Sequence, residues 1–370
     1  MKYYLIAGEA SGDLHGSNLI RGLRELDALA DLRCWGGEKM QEAGAKVVKH
    51  YKDLAFMGFI EVVRNLRTIM KNLAFCKQDI LNFKPDVIIL IDYPGFNIRI
   101  AEWAHRLGIK VVYYISPQVW AWKENRVKTL KASVDKMLVI LPFEKEFYKS
   151  WNWEVNYVGH PLVEVVENFK KDHPQILRDE KMVAILPGSR KQEILKKLPV
   201  MLEATRHFPD HKFIVAKAPG LSSGFYDEML RGWPNVRWVE NKTYHLLAEA
   251  RAALVTSGTA TLETALFDVP QVICYKGSSI SYQIAKRLVK IRFIGLVNLI
   301  MNKEVVSELI QHEMNVENIV AELKPLLTET DKRKYILKEY SALRNLLVDG
   351  GDASAKAAQE IMELLSGEKA

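Results

Sequence analysis

Continuous apolar runs alternate with amphipathic stretches along most of this chain. The runs KYYLIAG, PDVIILID, KVVYYIS and KMLVILP in the first half, and MVAILPG, AALVTSG and PQVICYKG in the second, show no polar–apolar alternation. Strands of this kind are buried on both faces, which is typical of a parallel sheet covered by helices. The intervening pattern predicts helices at residues 16–26, 59–82, 97–107 and 352–365. The sequence therefore predicts an α/β fold.

Two strand–turn–helix units lie about half a chain apart. KYYLIAG leads into GEASGD at residues 8–13, and MVAILPG leads into GSRKQEI at residues 188–194. A Gly-rich turn that opens a helix presents backbone N–H groups and the positive end of the helix dipole to an anion. This repetition predicts two Rossmann-like, doubly wound parallel-sheet domains that face a cleft.

Length and composition fit that organisation. The chain has 370 residues, of which 48% are hydrophobic and 26% charged, and this is typical of a globular protein with two domains. Residues 163–180 are polar and lysine-rich, and we interpret them as the connection. We expect the first domain at residues 1–164, the second at 165–349, and a helix at about 350–370 that packs back on the first.

Charge and cysteine usage narrow the function only slightly. The net charge of +7 permits attraction to nucleic acid, anionic lipid or phosphorylated substrates and selects none of them. No apolar stretch is long enough for a membrane span, and Met1-Lys2 leads straight into a strand without a signal peptide. Cys34, Cys76 and Cys274 lack metal-ligand spacing, so we expect reduced thiols and no metal site.

The turn LPGSR in the second half has the residues that a phosphate needs. Gly188 and Ser189 let the backbone approach a phosphate, and Arg190 can fork onto its oxygens. No GxxxxGK followed by Ser or Thr and no GxGxxG is present, which argues against a P-loop ATPase and a nicotinamide dehydrogenase.

The stretch TSGTATLE gives a second turn of this kind. Ser257, Gly258 and Thr259 stand at a helix start, and Glu263 follows about one turn later, where a carboxylate can accept two ribose hydroxyls. Ordinary β–α turns with capped helices would give the same pattern. The two turns together favour a nucleotide diphosphate.

Carboxylates follow two strands of the first half. Glu9 comes after the first strand and Asp92 after VIILI, and ligands of doubly wound sheets collect beyond the carboxyl ends of strands. A carboxylate there can act as a general base towards a hydroxyl, although Asp92 can equally be a turn or helix-cap residue. His160 in VGHP either closes the last strand of the domain or contacts a ligand.

Aromatic and basic residues are interleaved at three places. SPQVWAW, which ends at Trp122, is followed by four cations, Lys123, Arg126, Lys128 and Lys131. Residues 57–75 and 284–293 combine apolar and basic positions at helical spacing. The first segment can bind nucleic acid or lie at a membrane interface, with a buried Trp pair and a solvated basic helix as the alternative. The other two can present an apolar groove to acyl chains or lie on anionic lipid, with a core helix and a solvated basic face as the alternative.

Taken in order, these motifs resemble the lipid A disaccharide synthase family. The resemblance rests on GEASGD, LAFMGFIEV, KPDVIILIDYPGFN, SPQVWAWKENRV, LPFEKEFY, VGHPL, LPGSRKQEI and SGTATLE, and it extends over nearly the whole chain. It implies a GT-B fold and a metal-independent, inverting glycosyltransferase without a cofactor. The implied substrates are UDP-2,3-diacylglucosamine and 2,3-diacylglucosamine 1-phosphate, and the implied products are the β-1,6-linked disaccharide 1-phosphate and UDP. The implied location is the cytoplasmic face of the inner membrane of a Gram-negative bacterium, where the protein would bind anionic lipid peripherally. No nucleic-acid partner is implied.

The resemblance also assigns roles to residues of this chain. Asp92 is the expected general base, with Glu9 as the alternative. The expected donor and UDP ligands are Gly188, Ser189, Arg190, Ser257, Gly258, Thr259, Glu263 and Asn298. The expected acceptor-side residues are Ser11, Gly12, Asp13, Met57 and His160. Three positions depart from the family pattern, with Ala10 for a usual Thr, Gly95 for a usual Asp and Val297 for a usual Pro.

Three other functions remain open from the residues alone. A UDP-N-acetylglucosamine 2-epimerase-like enzyme would share the nucleotide site but would need no lipid surface. A non-catalytic nucleotide-sugar or anionic-lipid binding protein would not need Asp92. A nucleic-acid binder is favoured only by the pI of about 9.0.

Overall fold

The structure is a computed structural model, and it describes residues 1–54, 66–218, 220–277, 291–348 and 351–367. The chain divides into two compact units, Met1–Pro161 with Val348–Ala370, and Leu162–Leu347.

The first unit is built on a parallel sheet. Within the described residues this sheet has seven strands: β1 (Lys2–Ala7), β2 (Asp31–Gly36), β3 (Lys46–His50), β4 (Val87–Ile91), β5 (Lys110–Tyr114), β6 (Lys136–Val139) and β7 (Asn156–Tyr157). Their order is β3-β2-β1-β4-β5-β6-β7, and each neighbouring pair is parallel. Strand β4 is buried along its whole length, which explains its unbroken apolar sequence.

Helices and one short 3-10 turn connect these strands. They are α1 (Ala10–Leu26), α2 (Glu38–Glu42), the turn Tyr51–Leu54, α3 (Leu66–Phe83), α4 (Pro94–Arg106), α5 (Arg126–Ser133) and α6 (Glu144–Lys149). Of the helix predicted at residues 59–82, the part before residue 66 lies outside the described residues.

Helix α1 begins earlier than the sequence pattern predicted. The expected start was residue 16, whereas the helix begins at Ala10 and so contains most of GEASGD. The glycines in it permit close packing rather than a turn. A Cβ on Gly12 would lie 3.0 Å from the Cβ of Ala7, and one on Gly16 would lie 2.8 Å from the sulfur of Met40.

The second unit repeats the architecture. Its helices are α7 (Pro161–Asp172), α8 (Lys191–Thr205), α9 (Ser223–Met229), α10 (Thr243–Glu249), α11 (Thr259–Leu266), α12 (Leu296–Met301), α13 (Val316–Leu323) and α14 (Asp331–Val348), with a 3-10 turn at Lys324–Leu326. Its strands in the described residues are β8 (Asp179–Leu186), β9 (Lys212–Lys217), β10 (Val236–Glu240), β11 (Ala250–Thr256), β12 (Gln271–Tyr275) and β13 (Glu308–Ile310). They form a parallel sheet in the order β10-β9-β8-β11-β12-β13.

The interpretation of residues 163–180 as a connection is wrong. Helix α7 occupies Pro161–Asp172, and β8 has already begun at Asp179. Leu162, Val163 and Val166 form a buried apolar stripe at helical spacing. The lysine-rich character belongs to the last turn of this helix, where Lys170 donates to the carbonyl of Leu266 at 2.8 Å.

The last helix, α15 (Ala353–Ser366), belongs to the first unit and packs on α1. The helices approach closely at Gly22, where a Cβ would lie 3.1 Å from the backbone oxygen of Ser354. Glu360 fixes α15 to the sheet, because its carboxylate pairs with Lys136 of β6 at 2.5 Å and accepts from Asn156 of β7 at 3.0 Å. The first unit is therefore completed by the C-terminal helix.

Candidate active site

Two carboxylates lie at the carboxyl edge of the first sheet. Asp92 follows β4 and Glu9 follows β1, and these strands are neighbours with Ala7 opposite Ile91. Gly8 brings their ends together, because a Cβ there would lie 2.3 Å from Cγ of Tyr93. Only glycine leaves room for that ring. The adjacent strands thus carry Glu9 and Asp92 to one edge of one sheet.

The backbone at Asp92 is held in an unusual conformation. Asp92 has φ of +46° and Tyr93 has φ of +48°, in the left-handed region that costs a non-glycine residue about 1–3 kcal/mol. Three hydrogen bonds fix it. The N–H of Asp92 donates to the carbonyl of Tyr114 at 3.3 Å. Its own carbonyl accepts from the hydroxyl of Tyr113 at 2.7 Å and from Nδ2 of Asn97 at 2.8 Å.

The surroundings of Asp92 suit a proton acceptor. Burial, and secondly the negative charge of Glu9, raise the pKa of Asp92 to about 7, although a hydrogen bond from the backbone of Tyr93 acts in the opposite direction. A general base works best when its pKa lies near the working pH. Strained backbone and a shifted carboxyl pKa together are typical of a functional position.

The carboxylate of Asp13 is hydrogen-bonded within the first unit. The residue is 2% exposed, and its carboxylate accepts from the backbone N–H groups of Gly37 at 2.6 Å, Met40 at 3.1 Å and Lys39 at 3.2 Å. These groups belong to the start of α2, so Asp13 caps that helix from the first turn of α1. We therefore interpret it as a residue that positions the acceptor side rather than one that contacts the acceptor.

The other acceptor-side residues have different surroundings. Ser11 is exposed and Gly12 is buried, both in the first turn of α1. Met57 lies outside the described residues. His160 is buried, and burial, with a smaller effect of His15, lowers its pKa to about 3. Burial likewise lowers the pKa of His15 to about 4. Both imidazoles are therefore neutral at pH 7, and the sequence analysis missed His15.

The SPQVWAW loop between β5 and α5 is tied to the next strand by a buried carboxylate. Glu144 accepts from the indole N–H of Trp120 at 3.1 Å and from the backbone N–H groups of Ile140 at 3.2 Å and Leu141 at 2.9 Å. Burial raises the pKa of Glu144 to about 7, and these hydrogen bonds act in the opposite direction. The loop is thus fixed at the same sheet edge that carries Asp92.

The second unit holds a cavity of about 310 Å³ at the carboxyl edge of its sheet. The ends of β8, β9 and β11 and the starts of α10 and α11 surround it. Its lining residues are Leu186, Pro187, Gly188, Ser189, Glu193, Ala216, Lys217, Ala218, Thr243, Thr256, Ser257, Gly258, Thr259, Ala260 and Glu263. Six of the eight predicted donor residues therefore line one cavity.

Two glycines shape the anion-binding side of this cavity. Gly188 has φ of +114°, and a Cβ there would lie 2.9 Å from Oε2 of Glu193. Gly258 has φ of +141° and precedes α11. Beside it, the hydroxyl of Ser257 donates to the carbonyl of Ile294 at 2.8 Å. The start of α11 thereby directs its backbone N–H groups and the helix dipole towards the cavity.

Glu263 lies one turn further along α11 and also lines the cavity. It accepts from the hydroxyl of Tyr244 at 2.9 Å, and burial raises its pKa. No local motif marks Tyr244, which comes from another helix and orients the carboxylate. A carboxylate held in this way retains a second oxygen that can accept from a ligand hydroxyl.

Two predicted donor residues are not in the cavity lining. Arg190 is 58% exposed, and its Nη1 lies 3.4 Å from Oε1 of Glu193. Asn298 is fully buried, and its amide donates to Val306 and Glu308 and accepts from the N–H groups of Val305 and Val306, at 2.8–3.0 Å. All four hydrogen-bonding positions of that amide are occupied within the chain. Asn298 therefore holds the segment after α12 in place, and a side-chain bond to UDP is not supported.

The cavity also contains residues that the sequence analysis missed. Lys217, at the end of β9, pairs with Glu240 at 2.6 Å, and Thr256 ends β11. Lys217 belongs to no Gly-rich turn, and Thr256 opens the stretch TSGTATLE, of which only later residues were expected to bind a ligand. Their position at strand ends, next to motifs that had been recognised, was the available signal.

No helix in the described ranges is long and apolar enough to cross a membrane. In the same ranges, no group of three or more His, Cys, Asp and Glu side chains has an arrangement that could hold a metal ion.

The chain is similar to known proteins over nearly its whole length. The family model described as lipid-A-disaccharide synthetase matches residues 3–362. Lipid-A-disaccharide synthase of Syntrophus aciditrophicus is 40% identical over 369 residues, which cover 96% of this chain and 96% of that protein. The enzyme of the same name from Coxiella burnetii is 38% identical over 375 residues, covering 98% of both.

Solved structures with low identity share the fold. The calicheamicin glycosyltransferase CalG4 has a TM-score of 0.63 at 16% identity, over 99% of this chain and 98% of its own. The UDP-GlcNAc 2-epimerase of Neisseria meningitidis, bound to UDP-GlcNAc, has a TM-score of 0.62 at 15% identity, over the full length of both. These similarities confirm the predicted GT-B class of two Rossmann-like, parallel-sheet domains.

Proposed function

The chain belongs to the lipid-A-disaccharide synthase family, and on this basis we propose that Asp92 is the general base of its glycosyl transfer. The protein is a glycosyltransferase that builds the lipid A disaccharide from a UDP-sugar and a lipid-linked sugar. Its proposed donor is UDP-2,3-diacylglucosamine and its proposed acceptor 2,3-diacylglucosamine 1-phosphate. The family match over residues 3–362 is the observation that carries the function.

The second unit is the proposed donor domain. Gly188 and Ser189 approach the diphosphate together with the start of α11, and Glu263 accepts from the ribose hydroxyls. The diphosphate carries negative charge, which backbone N–H groups and the helix dipole stabilise. Arg190 supplies a cation from the rim of the cavity, because its exposed guanidinium can move from Glu193 to a phosphate oxygen.

The first unit supplies the proposed base. The 6-hydroxyl of the acceptor attacks the anomeric carbon of the donor, and the bond from that carbon to the UDP oxygen breaks with inversion. The hydroxyl proton passes to the carboxylate of Asp92, and the electron pair leaves with UDP. The pKa of about 7 favours this transfer at neutral pH. Burial and, secondly, the charge of Glu9 keep the pKa of Asp92 raised, and Tyr113 and Asn97 hold the backbone of Asp92 in place.

The reaction is proposed to need no divalent cation and no cofactor. The charge that develops on UDP is balanced by the N–H groups at Gly188 and Thr259, by the dipole of α11 and by Arg190. We further propose that the protein works at the cytoplasmic face of the inner membrane. Its acceptor carries two acyl chains, so it is met at a lipid surface.

UDP release by the purified protein tests this proposal. Release is measured from UDP-2,3-diacylglucosamine in detergent micelles with EDTA, in the presence and absence of 2,3-diacylglucosamine 1-phosphate. We expect release that requires the acceptor and survives EDTA. Release without the acceptor would indicate hydrolysis or epimerase-like chemistry, and loss of activity in EDTA that added Mg²⁺ restores would contradict the metal-free mechanism.

A further inference from the structure

The SPQVWAW loop buries one tryptophan and exposes another two residues later. Trp120 is 9% exposed and Trp122 is 45% exposed. The buried ring bonds to Glu144 and meets Phe143 edge-on, with centroids 5.0 Å apart. These contacts hold Trp120 in place, and two residues further on Trp122 lies at the surface. An exposed apolar side chain is not unusual by itself, so the groups that surround Trp122 decide its meaning.

Two cations flank the exposed ring. The ammonium of Lys123 lies 4.4 Å from the ring centroid of Trp122, and the guanidinium carbon of Arg126 lies 5.7 Å from it. At these distances both cations are attracted to the face of the indole ring. The backbone of Lys123 has a left-handed φ of +58°. The ring and both cations thus form one surface group.

The sequence around this group is strongly basic. Residues 122–133 contain four cations and one carboxylate, Glu124, which gives a net charge of +3. Lys123 and Lys128 are exposed. Lys131 donates instead to the carbonyls of Trp151 and Asn152, at 3.2 and 2.6 Å. An exposed aromatic ring flanked by cations is complementary to a negatively charged surface with an apolar layer beneath it.

An anionic bilayer has this combination. Tryptophan prefers the headgroup level of a membrane, and lysine and arginine close to the surface are attracted to anionic headgroups. The loop also starts at the carboxyl end of β5, next to β4 and the proposed base, because the N–H of Asp92 donates to the carbonyl of Tyr114. A bilayer docked here meets the sheet edge where the acceptor hydroxyl must arrive.

We propose that Trp122, Lys123 and Arg126 form a docking surface for an anionic lipid bilayer. Trp122 inserts at the headgroup level, and the two cations bind headgroup phosphates. The inference rests on the proposed function, since it concerns how the lipid-linked acceptor reaches Asp92.

Binding to vesicles of the full-length protein tests the surface. Co-sedimentation is measured with phosphatidylcholine vesicles that contain or lack phosphatidylglycerol, for the wild type, Trp122→Ala and the double variant Lys123→Gln/Arg126→Gln. Leu177→Ala and Lys334→Gln are the matched controls, because these side chains in the second unit are 81% and 65% exposed.

We expect the wild type to bind only vesicles with phosphatidylglycerol, and less strongly as salt is added. Each cation removed should weaken binding about fivefold, and Trp122→Ala should weaken it about tenfold or more. The controls should bind like the wild type. Equal binding by wild type and surface variants would overturn the inference, as would tighter binding to single-stranded RNA that the same substitutions abolish.

Transferase activity in detergent micelles separates this inference from the proposed function. The surface variants should keep near-normal turnover in micelles and lose it on vesicle-embedded acceptor. A wild type that is active in micelles but binds no vesicles would overturn the docking surface and leave the proposed transferase reaction intact. A wild type without transferase activity would refute the proposed function itself, whatever the vesicle result.

Discussion

The hydroxyl of Tyr113 donates a hydrogen bond of 2.7 Å to the backbone carbonyl of Asp92. This contact joins β5 to the left-handed residue at the end of β4, and Asn97 shares the same carbonyl at 2.8 Å. The orientation of the Asp92 carboxylate therefore depends on a side chain of the neighbouring strand.

Tyr113→Phe should lower kcat several-fold without moving the pH profile. The carbonyl of Asp92 keeps its bond from Asn97, so the free energy of unfolding should fall by only about 1 kcal/mol. Steady-state kinetics and urea unfolding measure the two effects. An unchanged kcat would mean that Asn97 alone is sufficient to hold Asp92.

Asp92→Asn should lower kcat by about 10²–10⁴-fold, because the amide cannot accept the proton of the acceptor hydroxyl. Asparagine tolerates the left-handed conformation at φ of +46°, so the fold should be retained. Affinity for UDP, measured by calorimetry, should change little because the donor cavity lies in the other unit. Near-normal turnover would exclude Asp92 as the base.

Glu9→Gln should move the acidic limb of the kcat–pH profile to lower pH. The charge of Glu9 raises the pKa of Asp92, so its removal lowers that pKa and leaves the base deprotonated in more acidic solution. Burial is the larger cause and persists, so the limb should stay above the ordinary range of an aspartate. Well above the pKa of Asp92 in the wild type, where the base is deprotonated in both proteins, the variant should match the wild type. Loss of activity at every pH would instead identify Glu9 as the base.

Gly188→Ala should weaken UDP binding by about tenfold or more and destabilise the second unit by about 1–3 kcal/mol. The φ of +114° disfavours a side chain, and the new Cβ would meet Glu193 at 2.9 Å. Calorimetry with UDP and thermal unfolding measure both effects. Gly224→Ala in α9 is the control, since no atom lies within 4 Å of a Cβ there. The prediction fails if both variants bind UDP equally well.

Asn298→Ala should destabilise the protein by about 3 kcal/mol or more, because it removes three buried hydrogen bonds and a partly buried one and leaves N–H groups of Val305 and Val306 unpaired. Chemical denaturation provides the measurement. If stability were unchanged while UDP affinity fell sharply, the Asn298 amide would be a direct donor ligand, as the family resemblance first implied.

The sheets were predictable from the sequence because burial on both faces leaves an unmistakable apolar run. All of β4 is buried, and its letters alone indicate a strand. Helix α1 was harder, because Gly12 and Gly16 resemble turn residues. Their purpose is close packing against Ala7 and Met40, which depends on tertiary contacts. Helix α7 was misinterpreted because its polar face masked the stripe of Leu162, Val163 and Val166.

The donor cavity could be predicted where its residues stand in local motifs, as Gly188 and Gly258 do. The roles of residues that bind backbone groups elsewhere in the chain could not be predicted from local motifs. Asp13 binds N–H groups 24–27 positions further along the chain, and Asn298 binds a segment that starts seven residues later. From the sequence alone, a carboxylate or amide that caps backbone cannot be distinguished from one that awaits a ligand.

The return of α15 to α1 fixes an order of events during synthesis. The second unit is one continuous stretch, whereas the first needs α15 to cover α1 at Gly22 and to pair Glu360 with Lys136. While the ribosome is still translating the middle of the chain, the first unit lacks this cover, and its buried surface is open to chaperones or to other nascent chains. The unit that carries Asp92 is therefore finished last, although it is begun first.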